Sequence, residues 1–202
     1  MAKPARLPLA LVAVVALAAC GGGGNKSATA GCHVTGKQVS FPLLSAGTTH
    51  TVTATTNLGT FAFSLDVKDS PCTTSSFASL ARKGFFNGLI FHRIVPGFVI
   101  QGGDPNGNGS GGPGYSVVDK PPAGTQYTRG VVAMAKTSAE PAGTSGSQFF
   151  VVTGANVGLT PDYALLGKVT SGLAVVERIG RLGNASEQPT RRVVIQKMTV
   201  SP

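Results

Sequence analysis

"FHRIVPGFVIQGGDP", Phe91 to Pro105, sets the reading of this chain. Two short apolar runs, Leu89 to Val95 and Phe98 to Ile100, flank Pro96-Gly97. Pro presets a turn's φ and Gly tolerates a positive one, so the stretch reads as two strands folded about a turn. Asn87-Gly88 upstream is a second turn signal. Arg93 and Gln101, both polar, stand one in each apolar run or at its edge. Downstream, "QGGDPNGNGSGGPGY" from Gln101 to Tyr115 holds almost no apolar side chain and reads as a turn-rich connection.

Working outward, the same short-strand grammar repeats. Val52, Ala54 and Thr56 alternate, and beyond Asn57-Leu58-Gly59 so do Phe61, Phe63, Leu65 and Val67. That is a hairpin with one buried face. Pro71 to Ser75 supplies turn and N-cap residues; Phe77, Leu80 and Ala81 follow at helical spacing, with Gly84 as the stop. Gly130 to Ala135, Gln148 to Thr153, Ala164 to Val169 and Val193 to Val200 read as strands. Leu173, Val175, Val176 and Ile179 mark a second helix stopped by Gly180. With 28 glycines and 13 prolines, the expected class is mainly β with two helices.

The formal charge is +9, but the basic residues are scattered, with Arg82-Lys83 and Arg191-Arg192 the pairs outside the first segment. No basic stripe is interleaved with aromatics, so nucleic-acid binding is not expected. The first residues read as an address. Lys3 and Arg6 precede an apolar run, Leu7 to Ala19, that is shorter than the ~20 residues needed to span a bilayer. Ala16-Leu17-Ala18 fits ordinary signal peptidase, whereas Leu17-Ala18-Ala19-Cys20 resembles the bacterial lipobox. The second reading makes residues 1–19 a lipoprotein signal peptide and Cys20 the lipidated first residue of an extracytoplasmic protein anchored on the outer face of the cell membrane. Residues 20–40, opening on Gly21 to Gly24, then read as a flexible tether, and 41–202 as the folded domain. Cys32 and Cys72 are left as either a disulfide or two free buried thiols.

Three site readings fail on their own chemistry. Asp104-Pro105-Asn106-Gly107-Asn108-Gly109 opens like a calcium loop, but its twelfth position is Tyr115, which cannot be a bidentate carboxylate. Gly31 to Lys37 spells a phosphate loop in which Gln38 replaces the Ser or Thr that holds magnesium. Ser145-Gly146-Ser147 lies outside any nucleophile-elbow pattern. No metal and no cofactor are expected.

The quoted stretch closely resembles the cyclophilin signature. "TNLGTFAFSLD", "GVVAMA" at Gly130 to Ala135, "GSQFFV" at Gly146 to Val151 and "LLGKV" at Leu165 to Val169 resemble the family's further landmarks, in order. The resemblance runs from about Thr51 to Val200. It implies a closed eight-stranded antiparallel barrel capped by a helix at each end, and peptidyl-prolyl cis-trans isomerase activity. By resemblance Arg93, Phe98 and Gln101 are the catalytic residues. His92, Val99, Ala135, Lys136, Gln148, Phe150, Leu159 and Tyr163 match substrate-groove positions, with Phe98, Phe150 and Leu159 around the proline ring. The chain has no Trp, and Val157 or Gly158 stands where the cyclosporin-contacting indole lies, so weak cyclosporin binding is expected. Expected partners are proline-containing or unfolded exported polypeptides, with the chain a monomer. A competing reading is a membrane-tethered chaperone or peptide-binding module whose isomerase activity is incidental.

Overall fold

A computed structural model describes residues 31–202 together with Met1. The signal-peptide reading of 1–19 and lipidation at Cys20 lie outside the described residues.

Among the described residues, eleven strands and two helices follow in order: β1 Val34–Gly36, β2 Thr51–Thr56, β3 Gly59–Leu65, α1 Pro71–Arg82, β4 Phe91–Val95, β5 Val99–Gly102, β6 Tyr115–Val118, β7 Val131–Met134, β8 Thr144–Ser145, β9 Phe149–Val152, β10 Leu165–Ser171, α2 Leu173–Gly180 and β11 Ile195–Ser201. Eight of the strands form one antiparallel sheet in the order β11-β2-β3-β10-β7-β9-β5-β4. The fold class is the expected one, but closure is partial. The ladder does not run between β4 and β11; the chain beside them meets at the single bridge Ile90↔Val194. Backbone bonds from Gly88 N to Ile195 O, Ile195 N to Leu89 O and Phe91 N to Val193 O hold these lips of a curled half-barrel together. A right-handed sheet twist curls the strands, and a short stretch of pairing suffices to cover an edge.

The interior is aromatic. Phe77 of α1 stacks on Phe86 at 4.5 Å and meets Phe149 edge-on at 5.5 Å, and Phe91 meets Phe149 at 5.9 Å. Val176 and Ile179 of α2 enter the same core. Both helices therefore cork one apolar interior, α1 buried over most of its length and α2 at Val176, Ile179 and Gly180.

The expected capping cluster, Pro71 to Ser75, is already the first turn of helix α1. Pro71 occupies its first turn and Ser70 is the N-cap, making no side-chain capping bond. Asp119, beyond β6, does that work instead: its Oδ2 accepts the Thr73 N–H at 2.6 Å, placing an anion at the helix's positive end. The expected stop at Gly84 is met in detail. Gly84, at φ +73°, donates to Ala81 O, and Phe85 donates to Leu80 O, the paired bonds of a Schellman turn.

The reading of residues 20–40 as a tether is corrected over its last part. β1 pairs with β6, Val34 opposite Val117, and β6 pairs with β8 in a separate three-stranded sheet. Cys32 is disulfide-bonded to Cys72 in the first turn of α1, with Cα atoms 5.6 Å apart. Three-residue strands carry too little periodicity to be read from sequence, and here the pairing partner lies some eighty residues away. The folded region thus begins before Phe41.

Candidate active site

A bulge in β4 creates the site. Phe91 pairs with Gly102 and Arg93 with Gln101, so His92 is an extra residue between them. Strict alternation would put Phe91 and Arg93 on one face. The bulge lets Phe91 and Ile94 both enter the core while Arg93 points to the outer face. Arg93 then heads a row of cross-strand neighbours: Arg93↔Gln101, Gln101↔Phe150, Phe150↔Ala133.

Alternation builds the apolar wall beside that row. On β9, Phe149 and Val151 belong to the core, whereas Phe150 and Val152 face outward. On β7 the outward pair is Val131 and Ala133, and on β5 it includes Val99. These outward residues gather Phe98, Ala135, Val157, Leu159 and Tyr163 into a second apolar cluster. Phe150 meets Tyr163 edge-on at 5.6 Å. The sequence therefore buries both faces of β5, β9 and β7, one as core and one as the lining of a surface groove.

A chain of polar contacts runs beside the wall. Arg93 Nη1 donates to Gln101 Oε1 at 3.3 Å, and Gln101 Nε2 donates to Gln148 Oε1 at 3.1 Å. Gln148 Nε2 donates in turn to the carbonyls of Gly109 and Gly111, at 2.8 and 2.9 Å. The Arg93 guanidinium carbon lies 6.0 Å from the centroid of the Phe98 ring, and Arg93 Nε is paired with Glu187 at 2.6 Å. Guanidinium stays charged at any relevant pH, so the groove carries a fixed cation at one end.

The glycine-rich stretch is a wall of the adjoining cavity, about 650 Å³, which it shares with Gln101, Gln148, Ala135 to Thr137 and the end of β1. Asp104 organises it. Oδ1 accepts from Asn106 N at 2.8 Å, and Oδ2 from the N–H groups of Asn108 and Gly109. Burial pushes this carboxyl's pKa up, but those N–H donors and nearby His92 outweigh it and hold it below its usual value. Both carboxylate oxygens are thus engaged by the loop's own backbone, as for a turn-former. Gly111 lies so close to Asp104 that a Cβ there would overlap Oδ1.

The remaining expected residues divide. Val99, Phe150, Leu159, Tyr163 and Ala135 meet in the outward cluster, and Phe98 joins it beside Arg93. Lys136 does not reach freely outward: its Nζ donates to Thr137 O and Glu140 O and sits 5.5 Å from the Tyr163 ring centroid. His92 stands apart. As the bulge residue it is buried, and its Nδ1 has no partner among the described residues. Burial lowers its pKa, Asp104 opposes that, and Arg93 adds to it, favouring the neutral ring.

Two residues were missed by sequence reasoning. Tyr127, fully buried, donates its hydroxyl to Tyr163 O at 2.6 Å and accepts from Tyr163 N at 3.0 Å, clamping the segment that carries the groove's outer side. Only its aromaticity in a loop hinted at burial. Glu187 carried no signal, because its partner lies 94 positions away.

Comparison with known proteins gives one answer. A family model described as cyclophilin type peptidyl-prolyl cis-trans isomerase/CLD matches residues 51–200. Peptidyl-prolyl cis-trans isomerase-like 1 of Aspergillus fumigatus is 36% identical over 150 residues, covering 72% of this chain and 91% of the relative. A peptidyl-prolyl cis-trans isomerase of Helicobacter pylori is 41% identical over 133 residues, covering 63% of this chain and 78% of that protein. The crystal structure of a Cryptosporidium parvum cyclophilin type isomerase superposes with a TM-score of 0.69 at 28% identity, covering 77% of this chain and 99% of that one. A structure of it in the presence of the dipeptide Ala-Pro gives 0.67 at 29% identity, covering 75% and 99%.

Proposed function

Since this chain belongs to the cyclophilin-type peptidyl-prolyl cis-trans isomerases, we propose that Arg93 drives the rotation by hydrogen bonding to the prolyl nitrogen. The observation that carries this is the row Arg93, Gln101, Phe150, a fixed cation beside an aromatic floor. Rotation about X-Pro is slow because the nitrogen lone pair is shared with the carbonyl, giving a barrier of about 18–20 kcal/mol. In the twisted state that lone pair returns to nitrogen, which becomes an acceptor. A donor that meets only the twisted state lowers the barrier, and each ~1.4 kcal/mol gained is about tenfold in rate. The chemistry requires no nucleophile and no bond is broken. Phe98, Phe150 and Leu159 hold the proline ring, while the backbone at Ala135 pairs with the peptide and Gln101 orients the guanidinium. A proline-containing peptide is the substrate, in keeping with the C. parvum relative's structure determined in the presence of the dipeptide Ala-Pro.

The clients are exported polypeptides, and the enzyme works outside the cytoplasm, anchored through Cys20 as a monomer. Leu7 to Ala19 followed by Cys20 supports this reading, as does the Cys32–Cys72 bond, which suits an oxidising compartment. Cyclosporin binding is weak, since no Trp is present to contact it.

The test is peptide isomerisation by the chain from Gly31 onward, compared with Arg93→Ala. A fall of about a hundredfold or more in kcat/KM is expected, the size of a lost electrostatic donor. Full activity in Arg93→Ala would remove it from this role. Rescue of client folding by the same variant would favour holding over isomerisation. Mass spectrometry of the native N-terminus tests lipidation.

A further inference from the structure

Arg93 has two supports that are weak by geometry: a 3.3 Å hydrogen bond to Gln101 and a 6.0 Å approach to Phe98. Its side chain is about a third exposed, and a long flexible stem of this kind samples several rotamers. The third support is different. Glu187 Oε2 accepts from Arg93 Nε at 2.6 Å, the shortest contact the guanidinium makes among the described residues.

The loop between α2 and β11 is built to deliver that carboxylate. Asn184 Oδ1 accepts from Ser186 N at 2.9 Å and Gln188 N at 3.0 Å, and Asn184 N donates to Gln188 O. Gly183 and Pro189 close the loop with a bridge. Glu187 N donates to Asn184 O, and Glu187 O accepts from Ile94 N, the residue next to Arg93. Within this frame Glu187 has φ +61°, the one positive φ at a non-glycine position among the described residues. That conformation costs glutamate free energy that Gly or Asn would largely escape. An exposed ion pair returns little stability, so stability does not account for a glutamate here. Strain of this kind collects where side-chain placement serves function.

We propose that Glu187 is a positioning residue for the isomerase reaction, its carboxylate fixing Arg93 through Nε so that the far edge of the guanidinium meets the twisted prolyl amide. With Nε on Glu187 and Nη1 on Gln101, Nη2 is left without a protein acceptor among the described residues. Its two N–H groups, with the second one of Nη1, are the donors available to substrate. Arg93's hydrogen bond and charge hold the Glu187 carboxyl below its usual pKa, so the clamp is ionised at neutral pH. This inference rests on Arg93 being the catalytic donor.

The experiment uses the full chain in detergent and three variants. Glu187→Gln removes the charge at constant size, Glu187→Asn suits the left-handed backbone, and Glu187→Asp restores a carboxylate. Exchange NMR on a proline peptide gives kcat and KM, thermal melting gives Tm, and the Arg93 Nε–H resonance reports the clamp. Expected are a fall in kcat of about tenfold or more for Gln and Asn with KM nearly constant, and loss of the ordered Nε–H signal. Tm is unchanged or higher for Asn, and Asp recovers part of the rate. In an Arg93→Ala background Glu187→Gln adds nothing further. Wild-type kcat in both Gln and Asn variants, with Arg93→Ala inactive, would overturn this inference alone. Full activity of Arg93→Ala would overturn the underlying reading and this inference with it.

Discussion

Cys32 is bonded to Cys72, and the bond ties the strand just ahead of the barrel to the first turn of α1. The strand it pins, β1, supplies Thr35 and Gly36 to the cavity beside the groove. Lys37 N, at its end, donates to Gly114 O of the glycine-rich stretch at 2.8 Å. The disulfide thereby braces one wall of that cavity from behind.

Opening the bond by Cys32→Ser with Cys72→Ser is expected to lower stability by up to about 4 kcal/mol, the chain-entropy value for a loop of this size. The loss falls short of that if β1 undocks while the barrel stays folded. Urea unfolding reads the total, and amide exchange at residues 34–37 shows whether β1 has been released. Unchanged protection there would mean that β1 holds through its pairing with β6 alone.

Asp104 is expected to be the stability centre of the glycine-rich stretch. Asp104→Ala strips acceptors from the N–H groups of Asn106, Asn108 and Gly109, at a cost of roughly 1–3 kcal/mol per group left unsatisfied. Its folded pKa lies below the usual carboxylate value, so its contribution is complete above that usual value. The contribution is lost as pH falls through the lowered one. Stability curves of wild type and variant should therefore converge in acid. Millimolar calcium should leave the wild-type melting temperature unchanged, because the carboxylate already serves the loop; a rise would restore the calcium reading.

Tyr127 is expected to resist ionisation. Burial pushes its pKa up from 10.0 to about 12, an effect that its bond to Tyr163 O partly offsets. A raised acid pKa means the neutral phenol stabilises the fold fully below pH 10 and loses that contribution as pH climbs through about 12. Phenolate absorbance should show a late step near that value, and Tyr127→Phe should delete it. The variant also leaves Tyr163 N without its acceptor, which lowers the melting temperature and loosens the Tyr163 side of the groove.

Much of the fold was legible because its signals are local. Phe61, Phe63 and Leu65 declare a buried strand face by alternation, and Gly84 declares a helix end by a φ that glycine adopts at little cost. The groove residues were legible only through resemblance. Nothing in the spacing of Phe149 and Phe150 says which one is core and which lines the groove.

By itself, then, the sequence determined the order of the eight main-sheet strands and the two helices, their turns and the family. What only tertiary structure decided rests on pairings between distant segments. The bulge at His92 turns Arg93 outward because Phe91 and Ile94 must both be buried. β1 joins the fold through β6 and Cys72, and Glu187 reaches Arg93 across the barrel's edge. Local patterns record which face of an element is apolar. They do not record which distant backbone it meets, and that meeting places the Arg93 cation.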